Sequence, residues 1–163
     1  MLTIRPARWS DRVHVWRLRN APDVRRWMVT TDAIAYWRHL WWYAGVMWWD
    51  DHEQLLVARY FSTRIGMIIG MFAGYVRLTR TSPESATLSV AVDADCRGFG
   101  YGQQLIRSAC AYAARHGVIN VTAQIRIANH ASRNAFAAAG FIETGRSQEW
   151  VWMGRVNSGR DLR

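Results

Sequence analysis

The stretch that decides the fold reads VAVDADCRGFGYGQQL and spans residues 90–105. At its start, Val90 and Val92, together with the preceding Leu88, alternate with small or polar residues at the period of a β-strand. Turn-forming residues come next, and three glycines follow at alternate positions. From Leu105 onward, apolar residues recur at helical spacing. The stretch therefore predicts a strand, a glycine-rich loop and a helix in direct succession.

The glycine-rich loop is suited to binding a phosphate group. The first backbone N–H groups of a helix have no partner within the helix, and the helix dipole adds positive character there. Gly98, Gly100 and Gly102 carry no Cβ, so an anion can approach the backbone closely. Arg97 adds a guanidinium group, whose geometry matches that of a phosphate. We therefore predict a phosphate cradle; the alternative is a plain turn between strand and helix.

The spacing of the glycines separates this loop from two other phosphate-binding motifs. A P-loop requires Gly-Lys-Ser/Thr, and the sequence contains no lysine. A dinucleotide-binding fingerprint requires Gly-x-Gly-x-x-Gly, which the loop does not have. The loop does match Arg/Gln-x-x-Gly-x-Gly/Ala, through Arg97, Gly100 and Gly102. It thereby resembles the pyrophosphate loop of the GNAT superfamily of acyl-CoA N-acyltransferases.

A second motif, NHASRNAFAAAGF at residues 129–141, extends this resemblance. It is similar to the GNAT signature Asn-x-x-Ser/Ala-x-x-x-Tyr/Phe-x-x-x-Gly-Phe, and it follows the glycine-rich loop at the usual distance. The resemblance implies an α/β (α+β) fold with a mixed, mostly antiparallel, twisted sheet of six or seven strands. Helices are expected on both faces, and the sheet is expected to splay between its fourth and fifth strands.

The resemblance also implies a binding site for acetyl-CoA as co-substrate, and no metal. Backbone groups of Val90 and Val92 would pair with the pantetheine arm, Asn129 would contact that arm, and Arg133 would contact a phosphate. For Asn129 the alternative is a helix N-cap, and for Arg133 it is a solvated charge on a helix. The implied cofactor site comprises Val90, Val92, Arg97, Gly98, Phe99, Gly100, Tyr101, Gly102, Asn129, Ser132, Arg133 and Phe136.

The amine acceptor is expected to bind beside the first helices. Residues 16–28, with Ile34, His39 and Trp42, resemble a GNAT branch that contains the nucleotide-linked amino-sugar N-acetyltransferases of the pseudaminic acid pathway and ribosomal-protein N-terminal acetyltransferases. The branch implies acetyl transfer to the amino group of a nucleotide-linked amino sugar, with Arg19, Arg25, Trp27 and Trp42 as substrate-binding residues. The alternative acceptors are a protein N-terminus and an aminoglycoside, and the chain could also be a non-catalytic acyl-CoA-binding domain.

The catalytic groups depart from the family pattern at two positions. Members often carry a glutamate where this chain has Ala86. Glu84 is the nearest carboxylate and a candidate catalytic residue, because it would lie on the same strand face as Ala86 if the strand extends that far. Members commonly place a tyrosine general acid where this chain has Phe136, which cannot donate a proton. A water, Tyr101 or Ser132 could protonate the departing thiolate, or it could leave unassisted, since a thiol pKa is about 8.5. His39 is the candidate general base; its alternative is a packed or solvated histidine.

Composition narrows the class of protein. The chain has 163 residues, half of them hydrophobic, and we expect a single domain over residues 1–163. Its formal net charge is +9, all 21 of its basic residues are arginines, and the excess positive charge would attract a polyanion such as coenzyme A. The arginines are scattered, which argues against a dedicated nucleic-acid-binding module. The sequence 50–53, Asp-Asp-His-Glu, is expected to be a solvated loop without a metal.

Cysteine and tryptophan usage predict the location and assembly of the protein. Two cysteines, Cys96 and Cys110, do not make a disulfide framework, so we expect a reducing cytoplasm. No signal peptide or membrane-length apolar run is evident, and no membrane partner is expected. Six of the ten tryptophans lie within residues 27–49, which favours an aromatic-lined pocket or a homodimer interface.

Periodicity and turn signals predict the remaining elements. Strands are expected at residues 2–5, 55–60, 74–78, 86–92, 118–127, 141–142 and 150–153. Helices are expected at residues 10–21, 23–28, 31–45, 101–115 and 131–139. Residues 61–71 are expected to extend a hairpin through Gly66 and Gly70, and residues 81–85 to form a turn.

Overall fold

The computed structural model describes residues 2–48, 50–64 and 67–157, with the backbone alone for residues 62–64 and 67–69. The strands are β1 Leu2–Pro6, β2 Glu53–Arg64, β3 Met67–Ser82, β4 Ser85–Val92, β5 Asn120–Arg126, β6 Ile142–Arg146 and β7 Trp150–Val156. The α-helices are α1 Arg12–Asn20, α2 Pro22–Arg25, α3 Tyr36–Trp48, α4 Tyr101–Arg115 and α5 His130–Ala138.

The seven strands form one sheet in the order β1-β2-β3-β4-β5-β7-β6. Neighbouring strands are antiparallel except for β4 and β5, so the expected mixed, mostly antiparallel sheet is confirmed. The hairpin expected around residues 61–71 joins β2 to β3, with Arg64 opposite Met67. Gly66 of its predicted turn lies outside the described residues.

The predicted splay lies between β4 and β5. Only three pairs join these strands: Ser85 with Asn120, Ala86 with Val121, and Thr87 with Thr122. Beyond them β4 continues to Val92 and β5 to Arg126 without pairing to each other. Along the edges where β4 and β5 face each other, the backbone N–H and C=O groups beyond Thr87 and Thr122 therefore have no hydrogen-bond partner on a neighbouring strand of the described sheet.

Helices pack on both faces of the sheet, as expected, and two apolar clusters result. On one face α4 and α5 bury Leu105, Ile106, Ala109 and Phe136 against alternate residues of the central strands. On the other face α1, α2 and α3 bury Val15, Leu18, Val24 and Tyr43 against Leu55, Val57 and Tyr75. The alternation of strand side chains between the two faces places each set in its own cluster.

The entry into α1 is fixed by a buried carboxylate. Asp11 has no solvent exposure. Its Oδ2 accepts from Arg5 Nη1 and from the Arg8 backbone N–H, both at 2.8 Å, and its Oδ1 accepts from Arg5 Nη2 at 3.0 Å. Although burial alone would raise the pKa of Asp11, these donors and the nearby Arg59 hold that pKa below its usual value. The short 3₁₀ helix Trp9–Asp11 thus leads into α1, close to the predicted start.

Two helix predictions were wrong. The third helix begins at Tyr36 rather than at Thr31, because the Asn20 side chain accepts from the backbone N–H of Ile34 and donates to its carbonyl. That helix also continues through Gly45 to Trp48. The second helix, expected at residues 23–28, is the shorter α2, which ends at Arg25. The turn predicted for residues 81–85 shortens to Pro83 and Glu84, since Ser82 already pairs with Ser85.

Among the described residues, no helix is long and apolar enough to cross a membrane. Within the same residues, no group of three or more histidine, cysteine or acidic side chains is arranged to hold a metal ion. Cys96 and Cys110 are both buried.

Candidate functional site

A cleft of about 1140 Å³ opens where β4 and β5 separate. One side, which we call the glycine-loop half, is lined by residues 87–92 of β4, residues 124–125 of β5, the loop at residues 96–100 apart from Phe99, the start of α4, and residues 128–136 apart from Arg133. The other side, which we call the helical half, is lined by α1, α2, the start of α3, the chain between them, and Tyr75 and Arg77 of β3.

The glycine-rich loop ends in the N-terminus of α4. Gly100 is the N-cap, with φ at 74°, and an added Cβ there would have no atom within 4 Å. The first backbone hydrogen bond into the helix runs from Gln104 N–H to Gly100 C=O at 3.1 Å. The amides of Tyr101, Gly102 and Gln103 therefore precede the hydrogen-bonded part of the helix and line open space. This is the arrangement that binds a phosphate.

Arg97 connects the loop to the helical half. Its Nε donates to the carbonyl of Val92 at 3.1 Å, and its Nη2 lies 2.6 Å from Oδ2 of Asp23 on α2. This hydrogen bond lowers the pKa of Asp23. The sequence motif identified Arg97 but gave no sign of its partner, which is distant along the chain.

Strand β4 presents Val90 and Val92 to the cleft. Both residues lie beyond Thr87, where pairing with β5 has ended. The edge of β4 that faces β5 can therefore pair with an extended ligand as a further strand would. Pairing of the two valines with a pantetheine arm, which the resemblance implied, stays a prediction.

The second motif lies at the start of α5. Asn129 Oδ1 accepts from the Ser132 backbone N–H at 3.1 Å, so the N-cap alternative is present, and both residues also line the cleft. Phe136 lies at the floor, 2% exposed, with its ring 4.9 Å from that of Phe141 in an edge-on arrangement. Arg133 donates to the Ile127 carbonyl at 3.3 Å and is not among the lining residues.

Two other predicted residues lie away from the cleft. Glu84 is exposed in the turn before β4, where its carbonyl accepts from the backbone N–H groups of Ile119 and Asn120. The strand begins one residue later, so Glu84 does not share a strand face with Ala86. Phe99 is 67% exposed and lies against the Tyr101 ring, with centroids 5.8 Å apart. Of the pair, only Tyr101 lines the cleft.

The helical half collects most of the predicted substrate residues. Arg19, Trp27 and Trp42 line it, whereas Arg25 does not, and the candidate base His39 lines it as well. Sequence reasoning missed Tyr75 and Arg77, which also line it. Their alternation along β3 indicates a strand face, but only the packing of α1 and α3 on that face shows what the face meets.

His39 is buried at the wall of the helical half, with 2% of its surface exposed. Its Nε2 lies 2.8 Å from the Arg12 carbonyl, which can only accept, so Nε2 carries the proton. The rings of Trp42 and Tyr43 lie 5.4 Å from the imidazole. Burial lowers the pKa of His39 despite the hydrogen bond, so the ring is neutral at neutral pH with Nδ1 as its acceptor.

Trp42 and Arg77 are both held by Glu53. The indole Nε1–H of Trp42 donates to Glu53 Oε2 at 2.6 Å, and Arg77 Nη1 lies 3.7 Å from Oε1. Thr79 also donates to Oε1, at 3.3 Å. The Arg77 guanidinium carbon lies 5.9 Å from the centre of the Trp42 ring. The carboxylate therefore fixes an aromatic ring and a cation side by side at the cleft wall.

Solved structures share this fold over nearly the whole chain. A spermidine N-acetyltransferase from Vibrio cholerae in complex with CoA and spermine has a TM-score of 0.83 at 17% identity, covering 99% of this chain and 98% of that one. An N-acetyltransferase from Staphylococcus aureus Mu50 has a TM-score of 0.75 at 18% identity, covering 97% and 99%. A Salmonella typhimurium protein solved with its cofactor acetyl-CoA has a TM-score of 0.74 at 20% identity, covering 97% and 95%.

At these identities the likeness establishes the fold. No curated protein sequence matches this chain closely enough to count as a relative. The family model described as "Acetyltransferase (GNAT) family" matches residues 11–141, a range that holds both the glycine-rich loop and the second motif. The sequence match and the open β4–β5 cleft agree, and the chain belongs to the acetyltransferase (GNAT) family.

Proposed function

We propose that the protein transfers an acetyl group from acetyl-CoA to a primary amine by direct attack of the amine. The observation that carries this proposal is the cleft between β4 and β5, which has the N-terminus of α4 at one end. The amides that follow Gly100 would hold the pyrophosphate, and the open edge of β4 at Val90 and Val92 would pair with the pantetheine arm. A Cβ added at Gly100 would meet no atom within 4 Å, so the backbone there is open to a ligand.

The reaction forms one bond and breaks one. The neutral amine attacks the thioester carbonyl carbon, the C–N bond forms, and the C–S bond breaks. A backbone N–H of β4 near Val90 would stabilise the oxyanion that develops on the carbonyl oxygen. The ammonium proton would pass to Nδ1 of His39, directly or through water, because Nε2 is already protonated and bonded to Arg12. Tyr101 or Ser132, both at the cleft, would protonate the thiolate.

For the acceptor we propose a nucleotide-linked amino sugar. Arg19 would bind its diphosphate, and Trp27 or Trp42 would stack on the base, since all three line the helical half. The Vibrio cholerae neighbour was solved with spermine, a polycation. The helical half of this chain is lined by four arginines and two aspartates, so a polycation would meet net positive charge. The alternative acceptors are a protein N-terminus and an aminoglycoside.

Acetyl-CoA-dependent thiol release tests the function and the acceptor together. The panel comprises UDP- and dTDP-linked amino sugars, peptides with free N-termini, aminoglycosides and spermidine. We expect release with the nucleotide-linked amino sugars. Saturable acetyl-CoA binding without release for any amine would favour the non-catalytic acyl-CoA-binding alternative, which the phenylalanine at position 136 also favours. A failure to bind acetyl-CoA would overturn the proposal.

We also propose that the protein is a cytoplasmic homodimer. Trp37, Trp41 and Trp48 are 63%, 72% and 58% exposed along one helix, α3. Exposed aromatic side chains in such a cluster are typical of protein interfaces. Two cysteines, Cys96 and Cys110, are too few for a disulfide framework, which is consistent with a reducing compartment.

A further inference from the structure

Two arginines at the wall of the helical half have donor capacity that the fold leaves unused. We propose that Arg19 and Arg77 form an anion subsite, which binds a carboxylate, phosphate or diphosphate group carried by the amine that is acetylated. This deepens the proposed function, on which the identity of the reaction rests. The subsite makes negative charge on the acceptor a requirement for efficient transfer.

Arg19 lies on α1 with its guanidinium at the cleft. Its Nη2 donates to the Thr30 carbonyl at 2.7 Å and so secures the chain between α2 and α3. Its Nη1 is shielded from solvent and has no hydrogen-bond partner within the described residues. A buried charged donor without a partner is costly, and an acceptor oxygen on a bound ligand would satisfy it.

Arg77 reaches the same half of the cleft from β3. Its contacts in the described part of the chain are the ion pair with Glu53 at 3.7 Å and the face of the Trp42 ring. A guanidinium carries five N–H donors, so most of its capacity remains for a ligand. Glu53 also accepts hydrogen bonds from Trp42 and Thr79. It therefore holds Arg77 in place without occupying all of the N–H donors of that guanidinium.

The two arginines are close enough to repel each other. Burial lowers the pKa of Arg19, and the charges of Arg77 and Arg25 lower it further, while Tyr75 acts in the opposite sense. Holding like charges together in a partly buried place is unfavourable unless an anion joins them. One of the two lining aspartates, Asp23, is already paired with Arg97, so it does little to offset the arginines. An acidic group would relieve this repulsion.

The first test measures anion binding to the CoA-saturated protein, so that the α4 N-terminus is already occupied. Inorganic phosphate, inorganic pyrophosphate and a simple dicarboxylate would be titrated by calorimetry. We expect saturable binding, weakened at least about tenfold in Arg19→Gln and in Arg77→Gln, as loss of a charged hydrogen bond predicts. The matched control is Arg17→Gln, which removes the same charge from an exposed position of α1 outside the cleft.

A variant that should strengthen anion binding distinguishes an anion subsite from a purely structural role of the two arginines. Glu53→Gln keeps an acceptor for the Trp42 indole but removes the negative charge beside Arg77. We expect it to bind the anions more tightly, which a loss of packing would not produce. Thermal unfolding of each variant identifies any that fails to fold, and Arg77→Gln then stands in for Arg19→Gln. Anion binding that is absent, or equal in all variants, would overturn the subsite.

The second test compares acceptors. With an anionic amine we expect the KM to rise about tenfold in Arg19→Gln and Arg77→Gln while kcat changes little, since the subsite binds rather than reacts. Comparing nucleotide-linked amino sugars with acidic amino acids distinguishes a diphosphate from a carboxylate ligand. Efficient transfer to spermidine but to no anionic amine would overturn the subsite and leave the proposed function standing. Failure to bind CoA would overturn the proposed function, whereas pyrophosphate binding that is weakened in Arg19→Gln and Arg77→Gln but not in Arg17→Gln would still support the subsite.

Discussion

At the scale of single residues, Gly100 and Gly117 offer a matched pair. Both have positive φ, 74° and 80°, and an added Cβ meets no atom within 4 Å at either, but only Gly100 lies at the cleft. Gly100→Ala and Gly117→Ala should each lower the free energy of unfolding by about 1 kcal/mol, measured by urea unfolding. Only Gly100→Ala should also raise the Kd for acetyl-CoA, by about tenfold, because its methyl group obstructs the amides. Equal effects on the Kd would contradict the cradle.

His39 gives a prediction in pH. Its pKa lies below the ordinary value of about 6.5, so His39 stays unprotonated, and able to act as a base, until the pH falls below its own lowered pKa. His39→Gln can still donate to the Arg12 carbonyl, and it should lower kcat roughly a hundredfold and remove the acidic limb of the pH–rate profile.

The free energy of unfolding should also depend on pH through His39. Because the unfolded chain binds the proton more readily, the wild type loses stability as pH falls below about 6.5.

The variant should lack that part of the pH dependence in urea titrations at several pH values. A His39→Gln enzyme with unchanged kcat and an unchanged acidic limb would show that His39 is a packing residue. In that case the pH dependence of stability would still distinguish the variant from the wild type, because it follows from burial of the ring and not from catalysis.

At the scale of elements, β4 must stay in place for the cleft to form, and Gly74 of β3 fixes its position. A Cβ at Gly74 would clash with the Ala91 carbonyl oxygen, so Gly74→Ala must push the two strands apart beside Val92. We expect a loss of about 2 kcal/mol in unfolding free energy and weaker acetyl-CoA binding. The control is Gly45→Ala in α3, where the Cβ meets nothing and should stabilise the helix by about 0.5–1 kcal/mol. Unchanged acetyl-CoA binding in Gly74→Ala would contradict this role of β4.

The same scale shows which parts of the fold the sequence could predict. The strand, loop and helix around residues 90–105 follow from local periodicity and from glycines, and the structure has them there. The start of α3 could not be predicted, because Ile34 is held by Asn20, which is distant along the chain. Arg77 was missed for the same reason: its role depends on β3, α1 and α3 meeting. Local patterns thus predicted the glycine-loop half, whereas the helical half depends on long-range packing.

At the scale of the whole molecule, the exposed face of α3 predicts assembly. Trp41 is 72% exposed at the centre of the row with Trp37 and Trp48, and burying an indole against a partner would stabilise a dimer by about 2 kcal/mol or more. We expect the wild type to sediment as a dimer and Trp41→Gln to shift toward monomer at the same concentration. Trp152→Gln is the control, since Trp152 is also exposed, at 39%, but lies on β7. A monomeric wild type, or equal shifts in both variants, would contradict an interface on α3.

Because α3 also carries His39 and Trp42 at the cleft, an interface on this helix should couple to catalysis. Trp41→Gln should then change the KM for the amine but not the Kd for acetyl-CoA.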